Sequence, residues 1–576
     1  VDKILCGPGA LHELETRVID GQVQRCYKNL WPSLRVFWLF VEQQHADKDY
    51  VVLDGQRLTF RQLGQRAAKA ASVFQDVYGV KKGDRVAICS RNYLEYLVLF
   101  WACHLIGAVS VLVNAWLPLE PLKHCLARTE CTLVFVDPER ADVLSSSVAD
   151  LKSSGIKAFL VIEAEGKGPW NGMNIWNPED GVSVQRVLKD DPKIGPEDDA
   201  AIIFTSGTSG LPKGVLSTQR AFLSNLFNIL ASRGRAMLRR GGELNFQSPP
   251  GPQPGALLPS PLFHVTGTSF SLIAALSGLR LVLMRKWDVE EAARLIKTEN
   301  VSLAGGVPST VSDLVDSPAL GPNSPISSFT YAGSPVSASL VKRAQKAFPL
   351  VSMSQAYGMT ESNATVVGFS GEDYVVRLDS CGRTMPINDI LVMQPNGVRC
   401  PNGVVGEVWI KGSNVMKCYY GDPGLWAVAL TKDGWLLSGD MGYMDDDGYL
   451  YIKDRLKDII IRGGENVDSV SVENALYEDE GVLEVAAVGV PDERLGELVT
   501  ALVTVKPPHK ERVSVATLMA LARKRLPKFA IPVMILIMKE DFNHTPSGKI
   551  VKADLRKIAT VEWEKQSMSK GGQPKL

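Results

Sequence analysis

Thr205-Ser206-Gly207-Thr208-Ser209-Gly210-Leu211-Pro212-Lys213-Gly214 follows the apolar run Ala200 to Phe204 and precedes a second apolar-rich stretch, Val215 to Ile229. Gly207, Gly210 and Gly214 allow successive backbone N–H groups to turn toward one anion. The hydroxyls of Thr205, Ser206, Thr208 and Ser209 add short donors, and Lys213 adds a mobile positive charge. Such a loop is expected to clamp a polyphosphate. It is not the ordinary P-loop, because G-x-x-x-x-G-K-[ST] needs Gly before the lysine and Ser or Thr after it, whereas Pro212 precedes Lys213 and Gly214 follows. A bland Ser/Gly loop is the competing reading, and the lysine set after Leu-Pro argues against it.

Outward from this loop, strand-like runs (Arg85 to Cys89, Val109 to Val113, Thr132 to Val136, Ala158 to Ile162, Ala201 to Phe204) alternate with helical patterns such as Phe60 to Val77 and Tyr93 to Leu105. Alternation of this kind implies a parallel sheet. Arg233 to Pro261, rich in Gly, Pro and Arg, reads as a surface excursion ahead of Pro261-Leu262-Phe263-His264-Val265-Thr266-Gly267. After Asp454 the pattern restarts as a small unit: strands near 457–462, 482–490 and 499–505, a helix over 515–526 and a strand over 532–539. The expected fold is α/β, with a large multi-sheet N-terminal domain over 1–455 and a small mobile α+β domain over 456–576. Tyr96 to Trp116 carries no formal charge over a membrane-spanning length. His104, Gly107, Ser110 and Asn114 interrupt it, and its period changes at Gly107, so it reads as a buried helix followed by a core strand.

The chain has 576 residues, more than one hydrophobic core usually supports. Its 63 Lys+Arg balance 63 Asp+Glu, which gives no global basic field for nucleic acid or an anionic membrane, so any anion site is local. Nine cysteines without a C-x-x-C pair fit a reducing compartment rather than a disulfide framework, and seven histidines show no zinc-ligand spacing. No secretory signal opens the chain, whose first residue is Val.

Further motifs follow in order: Gly333-Ser334-Pro335, Tyr357-Gly358-Met359-Thr360-Glu361, Gly434 to Asp440, Tyr451 to Asp458, Gly463-Gly464-Glu465-Asn466 and Pro546-Ser547-Gly548-Lys549. Together with the first loop they resemble adenylate-forming enzymes, the superfamily of acyl-CoA synthetases, peptide-synthetase adenylation domains and beetle luciferases, over roughly residues 35 to 560. The resemblance implies ATP, Mg²⁺ and coenzyme A as cofactors and co-substrates. It places Lys213 and the hydroxyl loop on the departing pyrophosphate, Thr205 and Glu361 on Mg²⁺, Gly333-Ser334-Pro335 and Tyr357 on the two faces of adenine, and Asp440 with Arg455 on the ribose. Lys457 falls at the hinge, Lys549 reaches the acyl carboxylate and AMP phosphate, and Gly463-Gly464 joins the pantetheine tunnel after a domain rotation. His264 resembles a residue of the acyl pocket. Gly305-Gly306-Val307 is expected to set pocket depth, with the two missing side chains leaving volume. No charged residue stands among these liners, which argues against an amino-acid substrate.

Two departures stand out. Cys418 replaces a Gly before the aromatic pair, and Asp468-Ser469 replaces a Pro, which puts local packing and the small-domain interface in question. The expected activity is acid:CoA ligation through an acyl-adenylate, on a medium or longer fatty acid. An aryl acid, loading of a carrier protein, oxidation of the adenylate and a non-catalytic nucleotide-binding role remain as alternatives. The partners are small molecules, without nucleic acid or a membrane span. The terminal Pro574-Lys575-Leu576 resembles a degenerate peroxisomal address, so the expected location is the peroxisomal matrix or the cytoplasm.

Overall fold

Alternating strands and helices build two large sheets in a computed structural model that describes residues 1–178, 184–205, 211–244, 251–334, 336–463, 465–545 and 548–569. The first sheet has eight strands, with Asp199–Thr205 lying parallel to Val109–Leu112 and antiparallel to Lys213–Thr218. The second has thirteen, and its centre is a parallel run in the spatial order Ser352–Met359, Ser328–Ala332, Val301–Gly306, Gly255–Leu258, Arg280–Leu283. One core cluster takes side chains from both sheets (Ile88 and Leu133 from the first, Val51 and Leu281 from the second) and from the helices Phe60–Asp76, Leu94–Ile106 and Gln219–Arg239. Those helices therefore lie between the sheets, and the Trp38 and Trp101 rings stack there at 4.4 Å.

Tyr96 to Trp116 divides as its period foretells. The helix Leu94–Ile106 ends at Gly107, whose φ of 75° supplies the left-handed cap, and the buried strand Val109–Leu112 follows. Among the described residues no helix is long and apolar enough to cross a membrane. His104 within it is a core residue: its Nε2 lies 3.2 Å from Ser110 Oγ, and burial pulls its pKa down to about 3.

Where it is described, Arg233 to Pro261 is a surface excursion only in its middle, where Arg239 to Glu243, Gly251 and Pro252 are exposed; its two ends are built into the core. The helix Gln219–Arg239 runs through Gly234, Arg235 and Ala236, all buried, and Gly255–Leu258 is a buried strand inside the second sheet. The composition misleads because the charge of Arg235 is met far away in sequence. Its guanidinium pairs with Asp2 at 2.8 Å and donates to the Thr384 carbonyl. Residues 245–250 lie outside the described residues.

The C-terminal unit is a separate five-stranded sheet, with Val482–Asp492 and Gly496–Val505 antiparallel and Met534–Ile537 parallel to the latter. Its core clusters draw only on residues from Ile460 onward, whereas those of the large unit reach no further than Ile452 among the described residues. The molecule thus has a large multi-sheet domain and a smaller C-terminal one.

The helix Gln219–Arg239 is tied to the second sheet by two buried amides. Asn225 Oδ1 accepts from Thr365 N at 3.0 Å, and Asn228 Nδ2 donates to Thr365 O at 2.7 Å while its Oδ1 accepts from the Tyr27 hydroxyl. Asn228→Ala strands the Tyr27 hydroxyl without its acceptor, so thermal or urea unfolding is expected to show a loss of about 1–3 kcal/mol.

Candidate functional site

Four neighbouring parallel strands of the second sheet end on one side, the edge at which open α/β sheets place their ligands. Past Leu258 the chain reaches His264; past Gly306, Val307; past Ala332, Gly333 and Ser334; and Ser352–Met359 carries Tyr357 and Gly358 at its own end. Pro335 lies outside the described residues, as do Ser206 to Gly210. The described strands on either side, Asp199–Thr205 and Lys213–Thr218, are antiparallel, with Thr205 paired opposite Lys213. Unlike the lysine of a P-loop, Lys213 opens a strand rather than a helix N-terminus.

The two sheets are stitched together by residues 413–419. Met416 N donates to the Glu361 carbonyl at 2.7 Å, and Cys418–Tyr419 then pairs as a short strand with Val215 and Leu216. Tyr419 is the junction. Its hydroxyl donates to Glu361 Oε1 at 2.8 Å, and its ring lies under Lys213 Nζ at 5.2 Å. Lys213 of the first sheet and Glu361 of the second therefore meet through one aromatic residue that sequence reasoning passed over. The available signal was the aromatic pair Tyr419-Tyr420 itself. Cys418 is half-buried and packs beside the first sheet's core without touching Glu361 or Lys213.

Glu361 is aimed by strain. It sits in a 3₁₀ turn, Thr360–Ser362, closed by Asn363 at φ 51° and Ala364 at φ 79°, both left-handed. Ser362 Oγ accepts from Met359 N, and Gly358 has no room for a side chain, since a Cβ there would stand 1.5 Å from the Ala364 carbonyl. Among the described residues Glu361 Oε2 makes no hydrogen bond, which leaves the buried carboxylate with lone pairs for a cation.

Asp440 and Arg455 are cross-strand partners, and Arg455 Nε lies 3.0 Å from Asp440 Oδ1. Tyr357 donates its hydroxyl to Asp440 Oδ2 at 2.7 Å, and burial beside this carboxylate pushes the Tyr357 pKa well up. Both oxygens of Asp440 are thus oriented, each with a lone pair to spare. The Asp440 charge in turn raises the Arg455 pKa.

Lys549 comes to this group from the small domain. Its Cε lies 3.5 Å from where a Cβ on Gly333 would stand, and its backbone N donates to Thr545 Oγ1. It makes no ion pair among the described residues. Removal from water and the nearby Arg455 charge lower its pKa to about 8, against the raising influence of Asp440 and Glu361. His264 faces it, and burial together with the Lys549 charge draws the His264 pKa to about 4, so this imidazole is neutral near neutrality. Its Nδ1 accepts from Thr266 N and caps the helix Val265–Ser277. Lys457 is exposed and close enough for its charge to act on Lys549. Gly463 does not join the group: its N–H donates to Leu495 O within the small domain. Gly464, Pro546 and Ser547 lie outside the described residues.

The pocket-depth reading of Gly305 needs correction. A Cβ there would meet the Thr330 carbonyl at 2.4 Å, so this glycine serves close approach of two strands and opens no volume. Gly306 has φ 147°, and a Cβ there would stand 3.3 Å from Pro259 Cγ. Val307 lies at the domain seam, because a Cβ on Gly548 (φ 83°) would stand 2.7 Å from Val307 Cγ2. Asp468, the other departure, is a helix cap that accepts from Ser471 N, and Ser469 N donates to Asp454 Oδ2 at 2.6 Å.

The site thus gathers a lysine at the start of a strand, a buried carboxylate with an unbonded oxygen, a second carboxylate held by Tyr and Arg, and a lysine from the small domain. The chain belongs to the AMP-binding enzyme family, whose description matches residues 38–420, with the AMP-binding enzyme C-terminal domain over 471–549. It is 31% identical over 507 residues to a feruloyl-CoA synthase of an Amycolatopsis species, a match covering 87% of this chain and 94% of that protein. It is also 31% identical over 512 residues to the long-chain-fatty-acid–CoA ligase FadD13 of Mycobacterium tuberculosis, covering 87% and 93%. Among solved structures, ATP-bound MatB from Rhodopseudomonas palustris superposes with a TM-score of 0.77 at 25% identity, over 91% of this chain and 98% of that one.

Two outcomes follow from the seam. Gly548→Ala forces a side chain into Val307 and a left-handed backbone, so the closed arrangement is expected to weaken; acid-dependent ATP–pyrophosphate exchange is expected to fall about tenfold or more while the melting temperature holds. For Lys549, a folded-state pKa of about 8 against the ordinary 10.5 means that the closed protein binds fewer protons than the open or unfolded one between those values. Closure therefore becomes less costly as pH rises through 8, and a bound anion restores the proton. Calorimetric ATP titrations above this pH, in buffers of different ionisation heat, are expected to show proton uptake that Lys549→Met abolishes.

Proposed function

We propose that the chain is an ATP- and Mg²⁺-dependent acid:CoA ligase acting on a medium or longer fatty acid. A carboxylate oxygen attacks the α-phosphorus of ATP and pyrophosphate leaves; the CoA thiol then attacks the acyl carbon and AMP leaves. Both steps gather negative charge, which calls for fixed cations and donors more than for a general base. The observation that carries the reading is the convergence of Lys549, Asp440, Arg455, Tyr357 and Glu361 at the strand ends.

In this reading Lys213, with the hydroxyl loop, holds the departing pyrophosphate. Glu361 and Thr205 hold Mg²⁺, whose contribution when bound is neutralisation of phosphate oxygens. Asp440 accepts from the ribose hydroxyls beside Arg455, and Tyr357 faces the adenine across from Gly333 to Pro335. Lys549 reaches the acyl carboxylate and the AMP phosphate and orients them as a hydrogen-bonding cation, and neutral His264 lines the acyl passage with Val307. Lys549 and Val307 close the site on the small-domain side, so the thiol gains access when the small domain, 456–576, swings away from the large one, 1–455, at Lys457. That swing brings Gly463-Gly464 to the thiol's path. An aryl acid is the second reading, favoured by a feruloyl-CoA synthase and a long-chain ligase standing at equal identity. The location is the peroxisomal matrix or the cytoplasm, which imaging of an N-terminally tagged chain distinguishes.

The decisive assay is CoA-dependent pyrophosphate release across acids from acetate to palmitate plus benzoate and coumarate, with the thioester weighed by mass spectrometry. Palmitate or a medium-chain thioester is expected; acyl-AMP without thioester would replace CoA by another acceptor. Lys549→Ala is expected to slow acyl-AMP formation about a hundredfold or more while sparing thioester formation from supplied acyl-adenylate.

A further inference from the structure

The seam between the two domains carries few polar links. Among the described residues one salt bridge crosses it, Lys506 Nζ to Asp316 Oδ2 at 2.8 Å, and one side-chain hydrogen bond away from the hinge, Ser339 Oγ to the Tyr477 carbonyl at 3.2 Å. The bond from Ser469 N to Asp454 adjoins the hinge itself. Asp316 ends the helix Pro308–Asp316, and Val307, against which Gly548 packs, immediately precedes that helix. The small domain is therefore held at both ends of this helix, by van der Waals contact at its start and by charge at its end, and again at Ser339 on the neighbouring helix Ala338–Ala347.

The placement of Asp316 is costly locally. A carboxylate at a helix C-terminus opposes the helix dipole, and the last turn holds no basic residue to offset it. Arg343 within the large domain already neutralises Asp316, with Nη1 3.0 Å from both oxygens. The large domain alone thus has no need of Lys506. Lys506 follows the strand Gly496–Val505, its backbone N–H bonded to Gly481 O, and its side chain is 17% exposed against 40% for Asp316. The pair is partly withdrawn from water, where a salt bridge holds more of its strength than at a fully solvated surface.

We propose that Lys506 and Asp316 form a latch that favours the adenylate-forming arrangement, with Ser339 and the Tyr477 carbonyl as its second point. This rests on the two-step ligase reading. Lys506 is a positioning residue: it touches no reacting atom and acts by holding Lys549 in the site. Because so few links cross the seam, losing one shifts the balance between the closed and open arrangements measurably, and the two half-reactions respond in opposite senses.

The experiment compares Lys506→Met, Lys506→Arg and Ser339→Ala in the full chain, with palmitate and coumarate as acids. Lys506→Met is expected to lower acid-dependent ATP–pyrophosphate exchange about threefold, to leave thioester formation from supplied acyl-adenylate unchanged or faster, and to keep the melting temperature. Lys506→Arg, which retains the ion pair, restores exchange, and Ser339→Ala repeats the Met effect more weakly. In the substrate-free protein, tryptic cleavage at the exposed hinge residues Arg455 and Lys457 is expected to quicken in Lys506→Met and not in Lys506→Arg. Equal losses in both half-reactions, or cleavage indifferent to Lys506, would overturn the latch. Failure of the ligase reading shows differently, as absence of exchange in the unaltered protein, and the cleavage arm still reports on the latch.

Discussion

An ammonium held among protein atoms, with no carboxylate paired to it among the described residues, is the constraint around which this protein is arranged. Lys549 reaches its place only if the small domain closes, if Gly548 and Gly333 leave room, and if Asp440 and Glu361 lie near enough to moderate its desolvation. A lysine in that setting is poised between charged and neutral forms, and an arriving anion settles it. In the proposed reading, closure and anion binding are one equilibrium. The thin seam follows from the same requirement, since a broad apolar interface would fix the lysine in place for good.

The large domain serves to hold its carboxylates still. Glu361 is aimed by two left-handed residues and by Tyr419, and Asp440 by Tyr357 and Arg455, so each acid keeps one geometry before any ligand arrives. The two sheets contribute different halves, Lys213 and Thr205 from one, the acids and the strand ends from the other. Residues 413–419 and the asparagines of the helix Gln219–Arg239 bind the halves together through buried main-chain partners. Such buried amide networks are stabilising only when every member is satisfied, which is why they fix one relative placement of the sheets.

Much of the fold was legible in the sequence where local patterning decides it. The strands around residues 85–89, 133–136 and 158–161, the helix beginning at Phe60 and the break at Gly107 all follow from apolar period and glycine chemistry. The two ends of Arg233 to Pro261 were not legible, because Arg235 is satisfied by Asp2 from the far end of the chain and the short strand Gly255–Leu258 is buried by its neighbours rather than by its own pattern. Gly305 misled in a related way. A glycine can mark an open pocket or a crowded backbone, and only the position of the Thr330 carbonyl tells which.

By itself the sequence determined the kinds of chemistry present: a hydroxyl-rich lysine loop, isolated acids in glycine-flanked motifs, and a lysine near the C-terminus, because each depends on residues close together in the chain. Tertiary structure decided how those parts act on each other. Asp440 meets Tyr357 and Arg455 only through strand pairing, Glu361 meets Lys213 only through Tyr419, and Lys506 meets Asp316 only because two separately packed domains touch at the end of the helix Pro308–Asp316. The reason is physical: residue type sets what a side chain can do, while the field and the partners that direct it come from atoms distant in sequence, which packing alone brings near.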